Sequence, residues 1–185
     1  MLLGPVRIEE WRPRAKGAGA DLDSLAGVLH AAVHAGASVS FVLPFSLADA
    51  RAFWREKVLP GVEDGKRVVL LARNGGEIVG TAQLILDTPP NQQHRAEVAK
   101  LLVLPKARRR GVGRALMSAI ENVAQREMRT LITLDTRTGD MAEPLYLSMG
   151  YVAAGIIPRY AIDPRGQKLE PTTILYKELA ADERR

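Results

Sequence analysis

The residues whose types and spacing most directly suggest chemistry are Arg108-Arg109-Arg110-Gly111-Val112-Gly113-Arg114-Ala115. They fall inside a stretch from Glu97 to Glu121 that has no acidic residue between its ends, while Lys100, Lys106 and four arginines lie within it. A strand before them and a helix after them are expected from the pattern. The first turn of a helix carries N–H groups without intrahelical partners, and its dipole favours negative charge. Glycines allow close approach to a pyrophosphate, and arginines add charge-assisted bonds. The plainer alternative is a basic turn whose glycines serve only its shape. A P-loop is excluded because Gly113 is followed by Arg114-Ala115, not by Lys-Ser/Thr. A dinucleotide fold would use Gly111, Gly113 and an acid about 20 residues on, where Asp135 stands. Its third glycine position is Leu116, and the chain left after Asp135 is too short for the rest of such a sheet and a substrate domain.

The elements around this turn follow from hydrophobic period and punctuation. Val6 to Trp11 alternates as a first strand, and Ala15 to Ala20 reads as a loop. Asp21 or Asp23 would cap a helix carrying Leu25, Val28, Leu29 and Val33, ended by Gly36. A second helix follows Ser46, with Ala50, Phe53, Trp54 and Val58 on one side, and stops at Pro60-Gly61. Arg67–Ala72 and Glu77–Leu86 flank Gly75-Gly76 as a hairpin. Glu97–Leu104 is a strand, Val112, Leu116, Ile120 and Val123 form a helical stripe, and Leu131–Leu134 is a strand that Asp135 closes. Met141–Ser148 is a short helix, Tyr151–Ile157 and Thr172–Tyr176 are strands, and the tail from Asp182 is expected to fray.

Length and composition narrow the class. A chain of 185 residues, 46% hydrophobic and 25% charged, is expected to form one domain spanning residues 1–185. With no cysteine there is no disulfide framework, no thiolate metal site and no cysteine nucleophile. His30 and His34 share a helical face, but two ligands with no Glu between them make a poor zinc site, so no metal is expected. No run reaches ~18 apolar residues, so no membrane partner is expected, and the cytoplasm is the default location. The net charge of +5 is gathered in one place, which suits a small polyphosphate better than a long duplex. Aromatic residues are absent between Trp54 and Tyr146, which argues against RNA and against nucleic acid generally.

Arg108-x-x-Gly111-x-Gly113 resembles the Gln/Arg-x-x-Gly-x-Gly/Ala signature of the GNAT N-acetyltransferases. The strand before it, Ala96-Glu97-Val98-Ala99-Lys100-Leu101-Leu102-Val103-Leu104-Pro105, has that family's acidic start. Ala142-Glu143-Pro144-Leu145-Tyr146-Leu147-Ser148-Met149-Gly150-Tyr151 is similar to its Ala-x-x-Leu-Tyr-x-x-x-Gly-Phe segment. Within the family the likeness is closest to the tabtoxin-resistance type, through His94-Arg95-Ala96-Glu97, Lys100 to Val103 and Leu134-Asp135-Thr136. Members of that type acetylate a small β-lactam amino acid. One departure is Gly139, where the family often has an Asn that contacts the cofactor.

The resemblance implies an α/β fold: a mixed, mostly antiparallel sheet of six to seven strands, splayed after Glu97–Val103 and flanked by about four helices. It implies acetyl-CoA as cosubstrate, with Arg108, Arg109, Arg110, Gly111, Val112, Gly113, Arg114 and Ala115 around the diphosphate. The thioester carbonyl would lie near the Leu101 N–H, with the pantetheine beside Leu102 and Val103.

An amine near neutral pH is mostly protonated, so acetyl transfer needs a base, donors for the developing oxyanion and a proton for the thiolate. Glu97 is the first candidate base; strict alternation puts it on one face with Leu101 and Val103, where burial would raise its pKa. The plainer alternative is a surface carboxylate paired with Arg95 or Lys100. Asp135 would share that role or hold the substrate ammonium, unless it only caps a turn. Tyr146 would protonate the thiolate, unless it only packs in the core. Lys100, odd in an apolar run, agrees with a bulge. The leading function is N-acetylation of a small-molecule amine by direct attack with general-base help, in a monomer or homodimer. The alternatives are a protein N-terminal or lysine acetyltransferase of the same fold, and a non-catalytic module binding acyl-CoA or RNA.

Overall fold

A computed structural model of the chain describes residues 4–13 and 18–180. Strand β1 (Val6–Glu10) leads to α1 (Ala18–His34), then α2 (Leu47–Phe53), which continues through one π-helical turn (Trp54–Val58) into α3 (Leu59–Glu63). After β2 (Arg67–Asn74), β3 (Glu77–Ile85) and β4 (Arg95–Val103) come α4 (Val112–Arg126), β5 (Leu131–Arg137), α5 (Glu143–Ser148), β6 (Val152–Ile162) and β7 (Leu169–Glu178). The seven strands form one sheet in the order β1-β2-β3-β4-β5-β7-β6, in which only β4 and β5 run parallel. Among the described residues no helix is long and apolar enough to cross a membrane.

Several boundaries moved. The first helix starts at Ala18, so Asp21 and Asp23 lie inside it and do not cap it; Asp21 is spent on Arg73 at 2.6 Å. Only the part of the expected Ala15–Ala20 loop from Ala18 onward is described, and the tail from Asp182 lies outside the described residues. Asp135 does not close β5. The strand runs on to Arg137 because β7 pairs with it as far as Thr172. Ser46 caps α2 as expected, in a reciprocal box with Asp49.

Two apolar cores occupy the two faces of the sheet. Val112, Leu116, Ile120 and Val123 of α4 pack on one face against Leu70, Leu84, Ala96, Val98 and Ile132. Leu25, Leu29 and Val33 of α1, with Trp54, cover the other face over Val69, Leu71 and Leu102. Fusing the cores at β4 requires close approach, and Gly80 of β3 provides it. A Cβ there would lie 2.8 Å from the Leu102 carbonyl oxygen and 3.2 Å from Val112. Gly80→Ala is therefore expected to destabilise the fold by about 1–3 kcal/mol, since a backbone oxygen cannot swing away. An unchanged urea midpoint would show that β3 and β4 separate more easily than this packing implies.

Candidate active site

The centre of the site is a bulge in β4. Thr81 pairs with Leu102 and Gln83 with Ala99, so Ala82 alone faces Lys100 and Leu101 together. Lys100 takes the left-handed conformation, φ +51°, which a non-glycine residue adopts only at a cost of about 1–2 kcal/mol. The extra residue reverses the alternation. Ala96 and Val98 point to the α4 core before it; Leu101 and Val103 do so after it, and Leu102 turns to the α1 side. Glu97 therefore does not share a face with Leu101 and Val103, contrary to strict alternation. It lies on the α1 side.

On the opposite edge of β4, pairing with β5 stops at Glu97 and Thr133. Beyond that point the strands splay, leaving a wedge between them. Glu97 stands at its apex, half-exposed, with Arg95 at 3.7 Å. It is thus a half-exposed carboxylate paired with Arg95, and it is not buried beside Leu101 and Val103. Asp135 also faces the α1 side, exposed, and accepts from the Thr172 hydroxyl at 3.3 Å.

From β4 the chain passes through a 3-10 turn, Pro105–Ala107, to the basic turn and α4. Arg109 and Gly111 are left-handed, φ +59° and +80°, and Gly111 is the N-cap without a capping side chain. Among the described residues, the main-chain N–H groups from Arg109 to Arg114 meet no acceptor; the first committed one is Ala115, to the Gly111 carbonyl at 2.9 Å. Six successive free donors at a helix start form an anion-binding concavity. Five of the six belong to residues that line a cavity of about 550 Å³, walled also by Leu101–Val103, the end of α1 and the Met141–Ser148 segment. Gly113 lets α4 approach α5, since a Cβ there would lie 3.1 Å from Leu145.

The basic residues divide. Arg109 and Arg114 line the cavity, Arg114 donating to Ser148 Oγ at 2.7 Å. Arg108 lines it too, while its Nε holds the Val103 carbonyl at 3.1 Å and so braces the turn against β4. Arg110 and Ala115 stand off the cavity wall, and Lys106 is neutralised by Glu77 at 2.6 Å. Gly139 is left-handed, φ +76°, with its N–H given to Glu143 at 2.6 Å, so this residue offers neither side chain nor amide to a ligand.

Tyr146 is 5% exposed, its ring edge-on to Tyr151 with centroids 5.9 Å apart. Burial first, then the charges of Asp140 and Asp135, hold its phenol above the ordinary range, so it stays protonated at neutral pH. Sequence patterns did not flag Arg137, Met141 and the small residues Ala32, Ala35, Gly36 and Ala37 as cavity walls. The run of small residues ending α1 was the available signal.

A family model described as the acetyltransferase (GNAT) family matches residues 31–151, which includes β4, the basic turn, α4, β5 and α5. The chain belongs to the GNAT acetyltransferase family. An uncharacterised N-acetyltransferase from the hisH–hisA intergenic region of Azospirillum brasilense is 30% identical over 127 residues, covering 67% of this chain and 73% of that one. An N-acetyltransferase structure from Staphylococcus aureus superposes with TM-score 0.77 at 16% identity, covering 96% of this chain and 100% of that one. The yncA structure of Salmonella typhimurium, solved with its cofactor acetyl-CoA, gives 0.74 at 17%, covering 96% of each chain. GNAT members use acetyl-CoA as cosubstrate. The free amides, flanking arginines and apolar floor of the cavity fit a diphosphate joined to a long, uncharged arm.

Proposed function

We propose that this GNAT acetyltransferase moves an acetyl group from acetyl-CoA to the amine of a small molecule, by direct attack with general-base assistance. The observation that carries the reading is the row of six unpaired amides from Arg109 to Arg114, opening on a cavity that reaches the bulged β4. The amides of Arg109, Arg110, Gly111, Val112, Gly113 and Arg114 hold the diphosphate, and Arg108, Arg109 and Arg114 add charge. The main chain of Leu101, Leu102 and Val103 aligns the acyl arm, with the Leu101 N–H facing the thioester oxygen. Glu97 takes the amine's proton directly or through water, Asp135 shares that task or holds the ammonium, and Tyr146 supplies the thiolate's proton. The tabtoxin-resistance resemblance supports a small acceptor, and the cytoplasm fits such a reaction.

Incubation with acetyl-CoA and a panel of amines, read as free thiol, tests the proposal directly. Release of thiol with peptide N-termini or lysine peptides, and with no free amine, would hand the chain to the protein-acetylating alternative. Glu97→Gln is expected to lower kcat by about 10-fold, below the ~10²-fold of a solitary base, because Asp135 lies on the same face. Acetyl-CoA affinity, measured by calorimetry, should not move. A wild-type rate in Glu97→Gln with a large loss in Asp135→Asn would transfer the base role to Asp135.

A further inference from the structure

Three groups on the α1 side of the sheet have more hydrogen-bond donors than the protein gives them acceptors. Gln83 of β3 is fully buried; its Oε1 accepts from Arg67 Nη1 at 2.9 Å, yet its Nε2 has no partner. Gln83 pairs across the ladder with Ala99, which puts it beside the bulge residue Lys100. The Lys100 ammonium donates to Ser40 Oγ at 3.3 Å and lies 5.9 Å and 5.8 Å from the ring centroids of Phe41 and Phe53. Among the described residues neither Arg67 nor Lys100 has a carboxylate within ion-pair distance, although Arg67 feels Asp87 and then Glu97, and Lys100 feels Asp135 and then Glu97. Burial depresses both cations below their ordinary pKa values, Lys100 additionally through the charge of Arg67. An unpaired buried donor and two incompletely neutralised, half-buried cations are costly unless something else completes them. Ser40, the oxygen that Lys100 uses, is itself left-handed at φ +75°. Strained non-glycine residues cluster at functional sites, and here two meet at one contact.

We propose that Arg67, Gln83 and Lys100 form a subsite for the carboxylate of the acceptor, so that the acceptor is an amino acid; this rests on the small-molecule reading above. A carboxylate only accepts hydrogen bonds, through about four lone-pair sites, and so matches a guanidinium, an amide NH₂ and an ammonium with spare donors. Glu97 and Asp135 share the same face of the sheet. An amino acid therefore meets opposite charges at its two ends: its amine lies by the carboxylates at the wedge, and its acid group by the cations. That orientation turns the amine towards the splay, where the thioester is held. Lys100 is then a specificity-determining residue placed by the β4 bulge.

Matched pairs of L-amino acids and their decarboxylated amines, assayed with acetyl-CoA by thiol release, read the subsite. The amino acid of at least one pair should show kcat/KM about 10-fold or more above its amine, and Lys100→Met should raise its KM by about 10-fold or more with kcat nearly kept. The same variant should leave the amine's KM within about twofold. Arg67→Gln, which keeps a polar partner for Gln83, should reproduce the pattern. Preference for the decarboxylated amines, or equal losses on both members of a pair, overturns the subsite and leaves the small-molecule reading standing. Turnover of peptides with no turnover of any pair removes that reading and the subsite with it; with neither turned over, binding alone is read. Calorimetric titration of the N-acetyl amino acids in the presence of CoA then decides the subsite alone: binding weakened by Lys100→Met sustains it, and no binding ends it.

Discussion

Glutamate at both Arg109 and Arg114 should weaken acetyl-CoA binding by about 100-fold at low salt, roughly tenfold for each reversed charge. Within the basic turn these are the two arginines that line the cavity without bracing β4, since Arg108 is committed to the Val103 carbonyl and Arg110 stands off the wall. The reversal puts two carboxylates beside six free amides, so the ligand's diphosphate meets repulsion in place of attraction. Both side chains are partly in water, and the gap between variant and wild type should narrow as salt shortens the Debye length from about 10 Å at 0.1 M to about 3 Å at 1 M. Lys106→Glu is the control: Lys106 is exposed and already paired with Glu77, so its loss should cost little affinity. Calorimetry in which Lys106→Glu matches the double variant would reduce the effect to net charge. No change in the double variant would remove the diphosphate from this turn.

How much of this was legible beforehand depended on whether a signal was local. The basic turn was readable because its chemistry lies in eight adjacent residues, and a strand-to-helix junction fixes where their amides point. The α4 stripe was readable for the same reason: its apolar spacing is its packing, and Val112, Leu116, Ile120 and Val123 are all buried. Strand boundaries were less legible, since β7 extends β5 past Asp135 from nearly forty residues away.

The face on which Glu97 sits was hidden for a sharper reason. Alternation predicts a face only while the strand keeps its register, and one inserted residue at Lys100 inverts everything after it. Lys100 hinted that the pattern was disturbed, but not by which residue or in which direction. The need for Gly80 was likewise invisible, because it arises from three segments converging on one Cα. Arg67 and Gln83 carry no motif. Only the pairing of β2, β3 and β4 places them beside the bulge.

The bulge also joins two tasks that a regular strand would keep apart. Before it, Glu97 is offered to the side under α1, where the proposed acceptor would approach the wedge; after it, Leu101 and Val103 return to the α4 side, next to the turn proposed to hold the diphosphate. On the proposed reading one strand serves both substrates from opposite faces, with the splay between β4 and β5 as the opening through which they meet.

What remains at that meeting point is the thiolate, and Tyr146→Phe should expose its need for a proton by lowering kcat about 100-fold with acetyl-CoA affinity unchanged. Phenylalanine keeps the buried ring and its edge-on contact with Tyr151, so packing should survive within about 1 kcal/mol. The titration of the phenol supplies an independent readout. Burial raises its folded pKa, so the folded chain keeps a proton that the unfolded chain loses above the ordinary value of 10.0. Stability from this source is complete below that pH and falls as pH rises through it towards the folded value. Urea midpoints should therefore fall more steeply above pH 10.0 in the wild type than in the phenylalanine variant, with Tyr151 giving both a common background slope. The two measurements separate the roles of the ring and its hydroxyl. A slow variant with the shallower slope keeps Tyr146 as the proton donor, whereas a wild-type kcat with that same slope makes it a core residue whose hydroxyl the reaction does not use.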